Sequence, residues 1–280
     1  MAINWYPGHM AKTKRLISEK FNLIDIVYEL VDARIPVSSK IIGIDNMLKN
    51  KPRILIMTKS DLCDINVTKK HIENYEKEGY KVLLVNLNNS SDYKKIIDAT
   101  NELMSELQMS RSLKGLKEKE IKALVVGVPN VGKSTLINKM AGRRVANVGN
   151  KPGVTKNLVW LKTNSNILLL DTPGILWPKL ESEITALNLA SMTAIKETIL
   201  PIDEVAIHIL TTLSTYYPHI LTNRYKIESV NLDDISLTYD LIGRNTGLLM
   251  KGGEVDYDKV SELIVNDIKK EYISGITFDR

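Results

Sequence analysis

The stretch Gly127-Val128-Pro129-Asn130-Val131-Gly132-Lys133-Ser134 constrains this chain more than any other. It matches G-x-x-x-x-G-K-[ST] and stands between an apolar run, Ala123-Leu124-Val125-Val126, and a helical pattern that opens at Ser134. Such a loop wraps phosphate oxygens in backbone N–H groups at a helix N-terminus, so strand, glycine turn and helix must follow one another here. Lys133 is then expected to reach the β- and γ-phosphates of a nucleotide, and the Ser134 hydroxyl to ligate magnesium. Asn130, Val131, Gly132 and Thr135 complete the nucleotide-binding loop.

The rest of the chain supplies a sheet for that loop to hang from. Apolar, β-branched runs at 24–30, 53–57, 81–85, 122–126 and 167–170 alternate with helical patterns, which describes a parallel sheet covered by helices. Beyond residue 177 strand signals fade, and 184–200, 204–217, 232–242 and 258–272 carry helical spacing. The expected fold is therefore an α/β P-loop domain at 1–177 followed by a small all-α domain at 178–280. Residues 9–21 predict a basic amphipathic helix, and the polar, lysine-rich segment 108–120 reads as a connector or the frayed end of the helix before it.

Two further motifs sharpen the chemistry. Asp171-Thr172-Pro173-Gly174 follows the apolar run Leu168-Leu169-Leu170, which puts a carboxylate at the end of a buried strand and a glycine next to it. In nucleotide switches that aspartate holds magnesium through water, and the glycine N–H, here Gly174, senses the γ-phosphate. Thr155, between the two loops, can complete the magnesium shell. Thr58-Lys59-Ser60-Asp61 closes the run at 53–57 and resembles the guanine motif [NT]-K-x-D. A carboxylate at Asp61 accepts from the ring N–H and exocyclic amine of guanine, donors that adenine lacks, and Lys59 can lie along the base. Thr58 stands where Asn is commonest. The motif order, guanine then phosphate then aspartate, is a circular permutation of the usual GTPase order, which is tolerable because the ends of compact domains often lie close together.

Charge divides the chain. Residues 1–176 carry a balance of +11 and residues 177–280 one of −6, so an RNA footprint judged by charge falls on the first half. The single cysteine, Cys63, has no disulfide partner and is expected to pack in a core. The longest apolar stretches are too short for a bilayer, and one is broken by Asp25 and Glu29, so a cytoplasmic protein without membrane contact is expected.

Trp5-Tyr6-Pro7-Gly8-His9-Met10, Val31-Asp32-Ala33-Arg34-Ile35-Pro36, the Pro129-Asn130 pair, Lys151-Pro152-Gly153-Val154-Thr155 and the segment from Asp171 to Pro178 together resemble the ribosome biogenesis GTPase A family over essentially the whole chain. The resemblance implies a permuted GTPase domain and a helical C-terminal domain contacting ribosomal RNA. It also implies GTP and GDP as ligands with magnesium, and a large ribosomal subunit precursor, with its rRNA and ribosomal proteins, as partner. By position Asn86 and Leu87 correspond to the family's second guanine-contacting turn. Ile175 occupies the place of the water-orienting glutamine of Ras-like enzymes, and the resemblance points to His9 as the catalytic substitute, a role its near-neutral pKa suits. In related loops an asparagine at the place of Asn130 helps hold potassium beside the phosphates. Arg34 has two readings, an RNA contact or a brace for the sheet. A monomer is expected, and a non-ribosomal GTPase or a nucleotide-dependent scaffold with negligible catalysis are the alternatives.

Overall fold

The computed structural model describes residues 3–4, 15, 17–41, 43, 48, 51–146, 159–172, 179–180, 182–195 and 199–280. In chain order the strands and helices are β1 (Ile3–Asn4), β2 (Ile26–Asp32), β3 (Arg53–Thr58), α1 (Ile65–Lys77), β4 (Lys81–Leu84), α2 (Ser90–Leu113), β5 (Ile121–Gly127), α3 (Lys133–Ala141), β6 (Val159–Lys162), β7 (Ile167–Asp171) and β8 (Lys179–Leu180). Five helices follow: α4 (Glu183–Ser191), α5 (Ile202–Tyr216), α6 (Pro218–Tyr225), α7 (Ile235–Thr246) and α8 (Tyr257–Lys269).

Six strands form one sheet in the order β4-β3-β2-β5-β7-β6. All its neighbours run parallel except the edge strand β6, which returns antiparallel along β7. All five anticipated runs are strands. Strand β6, exposed at its two ends and half-buried between them, lies outside the five anticipated runs. A two-residue ribbon pairs β1 with β8. β2 lies mid-sheet and is buried along its whole length. Its three polar side chains are satisfied there: Tyr28 meets the Thr100 hydroxyl at 2.6 Å, Glu29 accepts from Arg53 at 2.8 Å, and Asp32 accepts from Arg34 and Lys59, each at 2.8 Å.

Helix ends follow side-chain chemistry. Asp64, Asn89, Ser182, Asp234 and Asp256 cap α1, α2, α4, α7 and α8 by accepting backbone N–H bonds in the first turn. α2 runs on to Leu113 and takes in the first part of the segment expected as a connector. α4 stops at Ser191, well short of residue 200, where Thr193 turns left-handed at φ 59°. α6 has no counterpart among the expected helices; Pro218 starts it, and with eight residues it is too short for a clear periodic signal.

Sheet and helices share a large apolar core, in which Ile54 and Leu124 belong with Val205, Ile209, Ile264 and Phe278, and a smaller cluster gathers Val31, Leu55, Met57, Cys63 and Tyr75. α5 and α8 each bury a stripe at helical spacing, Val205, Ile209 and Leu213 on one and Val260, Ile264 and Ile268 on the other. Among the described residues no helix is long and apolar enough to cross a membrane.

Candidate functional site

The phosphate loop springs from β5 and feeds α3, as its sequence demands. A Cβ on Gly127 would come within 2.6 Å of the Leu30 carbonyl oxygen on β2, so only glycine lets the loop leave the sheet there. Gly132 sits at φ 96°, and a Cβ on it would lie 2.8 Å from a Leu87 methyl. Leu87 itself is buried against that point, and the Tyr93 hydroxyl donates to its carbonyl. Asn130 also takes a left-handed backbone, φ 61°.

Lys133 curls back over this turn, donating to the carbonyls of Gly127 at 3.0 Å and Val128 at 2.8 Å. Burial pushes its ammonium down to about 8, against the attraction of Asp171. A desolvated cation ringed by carbonyls and N–H groups suits an incoming phosphate. Asp171, 4% exposed at the end of β7, is held in place by its neighbour Thr172, whose hydroxyl donates to the Val125 carbonyl at 2.7 Å. The Ser134 hydroxyl, in the first turn of α3, and this buried carboxylate are hard oxygen donors of the kind magnesium takes.

The guanine motif lies at the end of β3, beside the phosphate loop. Thr58 is fully buried, and its hydroxyl lies 2.7 Å from the Val131 carbonyl and 3.1 Å from that of Val31. It therefore ties the two loops together and does not reach for a base. Lys59, at φ 61°, donates to Asp32 at 2.8 Å. The Ser60 N–H bonds the Val85 carbonyl, and Asp61 faces solvent. Behind Lys59, Arg34 grips the same carboxylate through Nε at 3.0 Å and a terminal nitrogen at 2.8 Å. Burial pushes the Asp32 carboxyl up, but the Arg34 and Lys59 charges outweigh it and hold the group well below the usual carboxylate range. At 3% exposure Arg34 is a brace for the guanine loop, which settles its two readings. Asn86 shapes the next turn: its N–H donates to Asp92, and its side chain accepts from the Asn88 N–H.

A family model described as "50S ribosome-binding GTPase" matches residues 122–233. The chain is 46% identical to "Ribosome biogenesis GTPase A" of Bacillus licheniformis, over 100% of this chain and 99% of that protein. It is 31% identical to the Thermotoga maritima protein of the same name, over 99% and 94%. The chain belongs to the ribosome biogenesis GTPase A family. As a GTPase of that family it hydrolyses GTP to GDP and phosphate, and guanine nucleotide is its ligand. Its backbone is similar to that of GNP-bound YlqF from T. maritima, with a TM-score of 0.65 at 26% identity over 96% of this chain and 98% of that one. The circular permutation of the motifs agrees with that likeness.

For this ribosome biogenesis GTPase the structure brings Thr58–Asp61, Asn86–Leu87, Asn130–Thr135 and Asp171 to one end of the sheet. His9, Thr155, Gly174 and Ile175 lie outside the described residues. Two groups find partners that the sequence did not announce. The Asn130 amide nitrogen donates to the Thr193 carbonyl at 2.6 Å, a contact from the phosphate loop to the turn after α4. Arg224 on α6 is gripped by Asp267 of α8 through two bonds of 2.7 Å. Asp32 is the site residue that the motif reading missed; its signal was the Asp-Ala-Arg run directly after a strand.

The chain's last residues buckle the helical part onto the guanine side. Asp279 accepts from the N–H groups of Val37 and Ser38, from the Ser38 hydroxyl and from Asn188 of α4. Phe278 N–H donates to the Arg34 carbonyl at 2.7 Å, and the N–H groups of Gly275 and Ile276 donate to that of Leu62. Residues flanking the guanine motif are thus fastened to the C-terminal segment.

Proposed function

We propose that this GTPase acts in late assembly of the large (50S) ribosomal subunit and that the ribosomal particle stimulates its hydrolysis of GTP. The observation that carries the reading is the end-to-end match, at 46% identity, to a protein named for ribosome biogenesis. The description of the matching family model favours the large subunit. Cytoplasmic location and a monomeric state belong to the same reading.

In this mechanism Lys133 binds the β- and γ-phosphates and recovers the electrostatic partner that burial denies it. Asp61 selects guanine, Lys59 lies along the base with Asp32 fixing its position, and Asn86 and Leu87 close the base's far side. Ser134 and Thr155 would ligate magnesium directly and Asp171 through water, and the ion would supply positive charge beside the phosphates. Gly174 reads the γ-phosphate. His9 orients the attacking water, and Asn130 would offer its amide oxygen to potassium. RNA contacts by charge draw on the basic half, residues 1–176, while the helical domain at 178–280, in the half whose balance is −6, binds rRNA through its individual Lys and Arg side chains.

GTP hydrolysis measured in potassium buffer with and without purified large subunits, with ATP as control, tests the proposal. Stimulation restricted to GTP is expected. An unchanged rate on addition of particles, with GTP still bound, would remove the ribosomal trigger and leave the nucleotide chemistry standing. Under His9→Ala, GTP binding is expected to persist while stimulated turnover collapses, and sodium in place of potassium is expected to slow hydrolysis.

A further inference from the structure

The nucleotide loops do not stand open along their whole length. A cavity of about 200 Å³ is bounded by Lys59, Gly132 and Thr135 on the sheet side and by Thr193, Lys269 and Glu271 on the helical side. The latter three come from the C-terminal ends of α4 and α8, and two of them, Thr193 at φ 59° and Glu271 at φ 63°, take left-handed backbones there. Three observations show that this helical wall faces the site. Thr193 receives the Asn130 amide, the carboxylate of Glu271 favours the charged forms of both Lys59 and Arg34, and the tail from Ile273 to Asp279 holds the end of α8 against the guanine loop.

We infer that the ends of α4 and α8 form a second wall of the nucleotide cleft and that Lys269 is a phosphate-contacting residue for bound GTP and GDP. The inference rests on the nucleotide reading of the loops and adds to it a contact from the helical part. Lys269 is half-buried at the C-terminal end of α8, where a cation is favoured by the helix dipole, and it fronts the same cavity as Gly132 and Thr135. A nucleotide seated on the phosphate loop brings two or three negative charges to this cavity, and Lys269 is the cation that the helical wall presents to them. Nucleotide affinity then depends on where the helical part sits, so any partner that shifts the helices changes nucleotide exchange.

The test is equilibrium binding of fluorescent GDP and GTP analogues to the full chain and to three variants. Lys269→Met keeps the aliphatic stem and removes the charge, Lys269→Arg keeps the charge, and Lys251→Ala removes a lysine from the exposed turn after α7. For one cation a few ångströms from phosphate at an effective dielectric near 20, Lys269→Met is expected to weaken both nucleotides about tenfold. Lys269→Arg should stay within about threefold of wild type, and Lys251→Ala should be silent. Lys269→Met binding within twofold of wild type would overturn the inference while leaving the loops' role intact. A tenfold loss accompanied by the same loss in Lys269→Arg or Lys251→Ala would also overturn it, since a contact that depends on this charge would not behave so. Wild-type protein that binds neither analogue would instead sink the nucleotide reading of the loops.

Discussion

Lys59 and Lys133 are the lysines of the two loops that meet in one cleft, and the protein holds them in opposite ways. Lys59 lies 2.8 Å from the carboxylate of Asp32, which Arg34 also grips. Lys133 is more deeply buried and donates only to carbonyls of its own loop. Burial lowers the pKa of both, but at Lys59 a full negative charge opposes it at contact distance, whereas at Lys133 the opposing charge of Asp171 leaves the group near 8. The guanine loop is thus built as a finished structure whose lysine already holds a carboxylate, while the phosphate loop keeps a cation whose best partner is the substrate. Rigidity serves base selection, and stored electrostatic demand serves phosphate binding.

Breaking the finished side should have the largest effect. Asp32→Ala leaves Arg34 buried without its anion and frees Lys59, and removing one partner of a buried pair costs about 3–5 kcal/mol. Denaturant titration should show that loss, with GTP binding impaired in whatever protein remains folded. A stability change under about 1 kcal/mol would mean that the cluster is not a structural unit. The pH dependence has a definite sign. Asp32 has a folded pKa below its unfolded value, so its stabilisation is present above about 4 and is lost as the pH falls from there toward the folded value.

The opposite manipulation, Lys133→Met, should separate stability from binding. GTP affinity is expected to fall at least about a hundredfold, since charge-assisted bonds to phosphate disappear. The protein without nucleotide should keep or gain stability, because a desolvated ammonium has been removed. Here the folded pKa lies below the unfolded value of 10.5, so the unfolded chain binds the extra proton between about 8 and 10.5 and wild-type stability rises with pH across that window. Subtracting the Lys133→Met profile isolates this slope. A flat difference between the profiles would show that Lys133 is solvated in the free protein and that the contrast between the two loops fails.

Asp279 joins the two halves of the contrast to the helical part, and its loss should come next in size. Asp279→Ala strips acceptors from the buried Ser38 N–H, the partly buried Val37 N–H, the Ser38 hydroxyl and Asn188, which leaves donors unsatisfied at about 2–3 kcal/mol. The change should appear as faster amide exchange at residues 35–39 and 273–279 before global unfolding. Uniform exchange across the chain would show that the tail is not a separate fastening.

Much of this was legible in the residues. The five apolar runs became strands because a sheet covered on both faces needs continuous apolar sequence, and the three nucleotide motifs fell at the carboxyl ends of those strands, where parallel sheets bind ligands. What stayed hidden depends on contacts distant in sequence. Asp279 meets Ser38 across 241 residues, and no local pattern connects them. The left-handed turn at Thr193, which receives Asn130, carries no glycine to announce it. Arg34 stayed undecided between RNA and brace because a sequence does not show which charges are buried together.

Thr58 gives the smallest and finest test of the comparison. A threonine stands where Asn is commonest; its hydroxyl donates into the phosphate loop at Val131, 2.7 Å away, and so joins the rigid loop to the responsive one. Thr58→Val keeps shape and removes that bond, leaving the Val131 and Val31 carbonyls one donor short, at a cost of about 1–2 kcal/mol. If the bond couples the loops, the loss should fall on GTP and GDP affinity together, while the preference for guanine over adenine, which belongs to Asp61, stays as it was. Restoring asparagine with Thr58→Asn should recover affinity, since an amide can donate to the same carbonyl. A changed base preference in Thr58→Val, with affinity for GTP intact, would return Thr58 to the base and break the division of labour between the two loops.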